Sequence, residues 1–286
     1  MQTNRLKSVF VTIYMLVVIV VLLGSVVGLV MSDFRLAWAG ALMTVLPFIC
    51  LYAYSVTSKS LARTSPRLPL VSTLTIAGGL VTIYGYWLSD YSAHLPMVAA
   101  IAAVYGFFVF DFWYSSLGRR VNDRLVTGQV IPEFQAKDVD GGQVGPADLR
   151  GRPVVFMFYR GNWCPFCMAQ VKEITGRYRE LSDRGVELVL ISPQPTELTQ
   201  RIAEMFQVPC RFWVDEGLTA SRALGLVHQY GVPAGGLTKT FGEDTVLPTV
   251  IIVNREGRII FTDQTDNYRV RPDPGLFLKA LHSHGI

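Results

Sequence analysis

The sequence predicts an α-helical transmembrane bundle of four spans followed by an α/β domain with a mixed central sheet. Three observations predict it. Uncharged apolar stretches of about 20 residues or more fill residues 8–32, 36–58, 68–89 and 91–110. Charge is partitioned: residues 1–118 carry six basic and three acidic side chains, whereas residues 119–286 carry twenty and nineteen. Beyond residue 124, continuous apolar runs alternate with segments of helical spacing, the pattern of an α/β fold. The expected organisation is a transmembrane region at 1–118, a linker at 119–129 and a soluble domain at 130–286.

Composition narrows the function classes. Half of the residues are hydrophobic and 17% are charged, which excludes disorder for most of the chain. Four cysteines in 286 residues are too few for a disulfide-stapled mini-protein. Net charges of +3 before residue 119 and +1 after it give neither part the basic face of a nucleic-acid binder, so no nucleic-acid partner is expected.

Each apolar stretch is long enough, at about 1.5 Å per residue, to cross a hydrocarbon core of about 30 Å. A charge at the centre of such a span costs about 2.5–3.5 kcal/mol, so four clear windows in succession point to a multi-pass protein in a lipid bilayer. The first stretch is too long for a cleavable signal peptide. Basic clusters set the orientation. Arg5 and Lys7 precede the first span; Lys59, Arg63 and Arg67 join the second to the third; Arg119, Arg120 and Arg124 follow the fourth. All three clusters fall on one side, which the positive-inside rule makes cytoplasmic. Both termini and the soluble domain are therefore expected on the cytoplasmic face of an inner, or plasma, membrane. Tyr84, Tyr86, Trp87, Trp113 and Tyr114 suit interfacial belts. Gly24 and Gly28 form a small-xxx-small pair that packs helices within the bundle or, failing that, between copies. Asp111 and His94 lie at opposite edges of the fourth span, within reach of the interface.

In the soluble part, residues 132–141 read as a short strand and turn, 153–159 as a buried central strand and 165–184 as a helix. A second buried strand at 186–192 precedes a helix at 196–206 with Thr196 as its N-cap. A short strand at 211–214, a short helix at 218–224, a hairpin of strands 249–253 and 258–262, and a helix at 274–282 complete the domain. Residues 227–242, glycine-rich and including His228, read as a surface loop near the site. No dinucleotide glycine fingerprint and no phosphate loop occurs, so neither a cofactor nor a metal is expected.

One motif carries the chemistry: Tyr159-Arg160-Gly161-Asn162-Trp163-Cys164-Pro165-Phe166-Cys167, at the junction of a buried strand and a helix. Pro165 suits the first helical position, where its missing N–H is no loss. Cys164 then caps the helix, and Cys167 sits about one turn in on nearly the same face. A helix N-terminus carries about half a positive charge and lowers a thiol pKa. A fall from about 8.5 to about 6.5 raises the thiolate fraction at pH 7 from roughly 3% to roughly 75%. Arg160 adds to this if it points inward. Cys164 is the expected exposed nucleophile, and Cys167 the thiol that resolves the mixed disulfide or sulfenic acid.

With this motif the domain resembles the thioredoxin fold, and within it the redoxin group of peroxiredoxin-like, alkyl hydroperoxide reductase/thiol-specific antioxidant-like proteins. CPFC is also a glutaredoxin-type centre and WCxxC is thioredoxin-like. A second mark is Leu247-Pro248-Thr249 ahead of the strand at 249–253. The resemblance implies a redox-active disulfide and a thiol-dependent oxidoreductase, antioxidant in function where hydroperoxides are the substrate. It implies that Trp163, Pro165, Pro248, Thr249 and Arg160 shape the site, with Pro248 as a cis-proline that receives the substrate chain; read alone, Pro248 is an ordinary trans proline that opens a strand. The motif departs from peroxiredoxins at Met157 and Gly161, where they carry proline and threonine, and at Leu247, where no peroxide-contacting arginine stands. It departs from thioredoxin at Phe158, where that family has a buried acid.

The expected partners are a disulfide or peroxide substrate, a thiol electron donor and the lipid bilayer; homo-oligomerisation is compatible with this organisation. Three other readings stand beside the enzyme: a redox-sensing or assembly module without turnover, a transporter with a regulatory domain, and half of a zinc site. The spans offer few polar residues for transport, and Cys50 and Cys210 are isolated from the pair as zinc ligands. Cys210 reads as a small buried hydrophobe or, alternatively, a further resolving thiol.

Overall fold

The computed structural model describes residues 2–58, 60–120 and 122–286. They form two compact units, one of residues 6–58 and 64–116 and one of residues 2–5, 60–63 and 117–286.

The first unit is helical: α1 (Gln2–Met31), α2 (Arg35–Ser58), α3 (Pro69–Leu88) and α4 (His94–Val109), the last running into a π-helical turn at Phe110–Tyr114. All four are long and apolar enough to cross a membrane, by length and composition. Where α2 meets α3 the buried residues include Gly40, Ala41, Gly78 and Gly85, which lets the backbones approach closely. A Cβ on Gly78 of α3 would stand 2.7 Å from the Thr44 nitrogen of α2, and the Thr75 hydroxyl donates to the Thr44 carbonyl at 3.2 Å. Gly28 faces the Trp38 ring of α2, leaving no room for a Cβ, so the small-xxx-small pair packs within the bundle.

The second unit is an α/β domain. Its strands are β1 (Ala136–Asp138), β2 (Gln143–Val144), β3 (Val154–Phe158), β4 (Glu187–Ser192), β5 (Arg211–Val214), β6 (Val227–His228), β7 (Thr245–Val246), β8 (Thr249–Val253) and β9 (Ile259–Asp263). Its helices are α5 (Pro165–Gly176), α6 (Tyr178–Ser182), α7 (Thr196–Phe206), α8 (Thr219–Ala223), α9 (Gly236–Phe241) and α10 (Pro274–Ser283). Seven strands form one mixed sheet in the order β2-β1-β5-β4-β3-β8-β9. The pairs β3–β4 and β4–β5 are parallel, while β8 runs antiparallel to β3. β6 and β7 form a separate pair.

Strand alternation sorts the core into two layers. Val155, Met157, Leu188, Leu190, Val250 and Ile252 face one side, where Phe166, Val171, Ile174, Ile202, Phe277 and Leu281 cover them. Val154, Phe156, Phe158, Val189, Ile191, Ile251 and Val253 face the other, against Leu125, Phe134, Trp213 and Leu224. Residues just after α4 contribute: Leu125 is fully buried, and the Gly128 N–H donates to the Ile259 carbonyl at 2.7 Å.

Three expectations need correction. The helix predicted at 165–184 breaks at Arg177 (φ −101°, ψ 12°), directly after Gly176. The N-cap of α7 is Pro195, in extended geometry (φ −52°, ψ 145°), and Thr196 is the first helical residue. The Pro195 carbonyl accepts from the Leu198 and Thr199 N–H groups, both at 3.1 Å, which starts the helix one residue earlier than a hydroxyl cap would. Residues 227–242 are not one loop, because they contain β6 and α9.

Candidate active site

β3 is buried at all five positions and ends beneath the motif. The Tyr159 N–H continues the ladder to the Ile191 carbonyl at 2.9 Å. The chain then turns through Gly161 at φ +138°, where a Cβ would also stand 2.9 Å from the Trp163 ring. The departure from the peroxiredoxin threonine thus has a local reason: only glycine takes this turn without strain. The Asn162 N–H donates to the Gln194 side-chain oxygen at 2.8 Å, which fixes the turn to the end of β4. Cys164 is the N-cap of α5 (φ −94°, ψ 108°), and Pro165 is its first residue. Cys167 follows in the first turn, and both are free thiols.

The dithiol is enclosed. Cys164 is 2% exposed and Cys167 fully buried. This corrects the expectation of an exposed nucleophile. The cause is tertiary: Trp163, Tyr268 and Leu61 pack against the core layer that holds both sulfurs, and Tyr268 meets Phe166 edge-on at 5.8 Å.

Burial alone would hold Cys164 protonated, but it is outweighed. A hydrogen bond from Cys167, the charges of Arg160 and Arg271, and the Cys167 backbone N–H bring its pKa down to about 6. Cys167 goes the other way. Burial, its hydrogen bond to Cys164 and the Cys164 charge hold it well above the ordinary thiol range, against the opposing charge of Arg271. Near neutral pH the pair is a thiolate accepting a proton-bearing neighbour, the arrangement of a nucleophile and a waiting thiol.

Two arginines flank this pair. Arg160 points inward: its guanidinium lies 4.7 Å from the Trp163 ring centroid and 5.7 Å from that of Tyr268, and it donates to the Gly231 carbonyl. The Thr245 hydroxyl holds the Arg160 carbonyl at 3.0 Å. Arg271 donates from Nη2 to the Cys167 sulfur at 3.7 Å. Sequence reasoning missed Arg271, and also the fully buried Arg269. No local pattern flags them: the chain turns at Tyr268 and Arg269, where the Val270 N–H donates to the Asn267 carbonyl at 3.0 Å, and only the tertiary fold brings Arg271 to the sulfur.

Thr249 is the register partner of Phe158, so Pro248 and Thr249 lie at the sheet end that carries the motif. No cis peptide bond occurs among the described residues, which corrects the expected cis-proline: Pro248 is trans. Its carbonyl and the Thr249 hydroxyl accept from Arg119 Nη1 and Nη2 at 3.2 and 3.0 Å. A trans proline satisfies the start of β8, where a missing N–H costs nothing. The structure thus joins Arg160, Trp163, Cys164, Pro165 and Cys167 into one constellation, with Pro248 and Thr249 beside it. Phe158 faces the opposite core layer from the dithiol.

His228 is buried in β6 instead of lying on a surface loop, packed beside Gly231. Cys210 packs on the same core layer as the dithiol, and burial pushes its thiol up to about 12. Cys50 lies exposed on α2. No cluster of three or more His, Cys, Asp or Glu side chains that could hold a metal occurs among the described residues.

Comparison with known proteins places this geometry in a family. The AhpC/TSA family matches over residues 127–262. A Mycobacterium tuberculosis protein named as a peroxiredoxin is 31% identical over 140 residues, which are 48% of this chain and 83% of that one. The chain belongs to the AhpC/TSA family. A further relative is the thiol–disulfide oxidoreductase ResA of Halalkalibacterium halodurans, 26% identical over 169 residues, 58% of this chain and 81% of that one. The crystal structure of peroxidoxin BcpB from Mycobacterium tuberculosis aligns with a TM-score of 0.46 and 19% identity over 56% of this chain and 97% of that one. Relatives named as thiol–disulfide oxidoreductases and peroxiredoxins make this AhpC/TSA chain a thiol-dependent oxidoreductase.

Proposed function

We propose that the chain is a membrane-anchored thiol–disulfide oxidoreductase in which Cys164 is the nucleophile and Cys167 the resolving thiol. One observation carries the reading: two free thiols share the start of α5, Cys164 as its N-cap and Cys167 in its first turn, with the Arg271 guanidinium on the Cys167 sulfur, surroundings that favour a Cys164 thiolate beside a Cys167 thiol. The Cys164 thiolate attacks one sulfur of a substrate disulfide, forms a mixed disulfide and expels a thiolate. Cys167 loses its proton, attacks the Cys164 sulfur, expels the second thiolate and leaves a Cys164–Cys167 disulfide. An external dithiol donor returns both to thiols. With a hydroperoxide, Cys164 attacks the terminal oxygen, releases the alcohol and becomes a sulfenic acid; Cys167 condenses with it and releases water. Trp163, Pro165, Arg160, Pro248 and Thr249 shape this site.

The test is the Cys167→Ser variant, which is expected to accumulate a stoichiometric mixed disulfide on Cys164, read as a mass increase on the peptide carrying residue 164. Equal adduct on Cys50 or Cys210 and none on Cys164 would sink the assignment.

Four spans within residues 1–118 and a redox domain on the cytoplasmic side complete the proposal; it is supported by the basic clusters and the apolar lengths. In right-side-out bacterial vesicles, a cysteine introduced at exposed Asp33 is expected to react with an impermeant maleimide, and one at exposed Glu256 only after lysis. The reverse pattern defeats the orientation.

The enclosure of Cys164 favours a second reading, a redox-sensing or assembly module that reacts only when opened and does not turn over. Sustained turnover with a dithiol donor separates the two.

A further inference from the structure

Resolution of a mixed disulfide requires Cys167 as a thiolate inside the core, where charge is costly. The groups acting most strongly on Cys167 are Cys164, Arg271 and the backbone of Arg160. Tyr159 lies behind it at the end of β3, a neutral hydroxyl that burial and the neighbouring sulfurs keep protonated. From the segment after β9 come Tyr268, packed on the same layer, and Arg271. Arg271 is 6% exposed and directs Nη2 at the Cys167 sulfur from 3.7 Å.

We propose that Arg271 is a catalytic residue of the resolving half-reaction, holding Cys167 as a thiolate once Cys164 has entered a mixed disulfide, and that Arg63 positions it. The inference rests on the exchange mechanism above and extends it to a residue outside the motif. In the resting pair Cys167 keeps its proton because it donates to the Cys164 thiolate. Mixed-disulfide formation abolishes the Cys164 charge and that hydrogen bond together. The guanidinium is then the remaining charge on Cys167, and it favours ionisation. Arginine stays protonated and cannot take the proton, which leaves to solvent or to the thiolate expelled first. The Cys167 thiolate next attacks the Cys164 sulfur; the new S–S bond forms as the mixed disulfide breaks, and the bound thiol departs with the electron pair.

The aim of Arg271 is fixed from outside its own segment. Arg63, between α2 and α3 in sequence and part of the redox unit, donates from Nε to the Arg271 carbonyl at 3.2 Å and from Nη2 to the Pro272 carbonyl at 3.4 Å. It also pairs with Asp273 at 3.3 Å and with Glu173 of α5, the helix that carries both cysteines. One side chain thus ties the arginine-bearing segment to the cysteine-bearing helix.

The experiment uses the full chain in detergent with Cys50 and Cys210 changed to serine. The probe is 4,4′-dithiodipyridine, an uncharged disulfide that Arg271 has no charge to attract. Attack by Cys164 releases one thiopyridone and resolution by Cys167 releases the second, so stopped-flow absorbance separates the two steps. Arg271→Met is expected to slow the second release about tenfold or more, the effect of one pKa unit, and to move its pH dependence upward, while the first release changes less. Arg271→Lys is expected to recover part of the second rate, and Arg63→Ala, which keeps the guanidinium but loosens its hold, to slow the second release selectively. Should Arg271→Met fail to fold, the lysine and Arg63 variants decide through the same pH shift. A wild-type chain that releases both equivalents, with variants that match both of its rates, overturns the role of Arg271 alone. A wild-type chain that never releases the second equivalent overturns the exchange mechanism and this proposal with it.

Discussion

Replacing Cys164 with serine is expected to lower disulfide reduction by at least about 10³-fold, the scale of losing an activated nucleophile. The argument lies in ionisation. The Cys164 thiol, brought to about 6, is about nine-tenths ionised at pH 7 and about one-tenth at pH 5. A serine hydroxyl in the same place stays protonated throughout. The same reasoning fixes a pH profile. The thiolate is the deprotonated form, so alkylation of Cys164 in the reduced wild-type chain should rise with pH, pass its midpoint near 6 and level off above neutrality. Iodoacetamide trapping followed by peptide mass analysis measures it. Cys210, pushed up to about 12, should remain nearly unlabelled at pH 7 in the same samples. A Cys164 rate that keeps climbing through pH 8 and 9 without levelling would sink the account of the pair.

The second large effect is on stability. Phe156 is fully buried at the centre of the sheet, its ring 5.7 Å from Phe134 and 6.0 Å from Trp213. Truncation to alanine removes that contact surface and leaves a cavity between packed aromatics that cannot collapse freely. The expected cost is about 3–5 kcal/mol, a large part of a typical domain's stability. Denaturant unfolding of the full chain in detergent, followed by near-ultraviolet circular dichroism, should show a clearly lower midpoint. Val130→Ala, at a position 55% exposed, should shift it by no more than about 0.5 kcal/mol. Equal shifts for the two variants would contradict the assignment of the core.

The central strands were legible because they are buried on both faces and so read as unbroken apolar runs: residues 153–159 became Val154–Phe158, and 186–192 became Glu187–Ser192. The cysteine pair was legible because its chemistry depends on local order, a strand, a turn and a proline-led helix. Other features had no local signature. The two-residue strand holding His228 is too short to show a period. Tyr268 and Leu61, which pack on the core layer that holds the dithiol, and Arg271, which approaches Cys167, are all distant from the motif in sequence. Arg119 on the Pro248 carbonyl is a further case: as part of a basic cluster it signals orientation, yet burial lowers its pKa to about 10 despite Asp263 and Asp266, and its guanidinium is spent on the Pro248 carbonyl and the Thr249 hydroxyl. Composition ranks a residue by what it usually does, whereas tertiary contact decides what it does here.

Arg63 and Leu61 carry a last consequence. They come from a short stretch of the redox unit that includes residues 60–63, encoded between two long apolar helices and more than fifty residues upstream of its main body at 117–286. Gene surgery therefore cannot liberate an intact catalytic body by cutting at one peptide bond. A truncation beginning at residue 119 would retain every cysteine of the motif yet forfeit the clasp on Glu173 and Asp273 and the packing of Leu61 on the core layer that holds the dithiol. Soluble fragments would report on an unlatched enzyme.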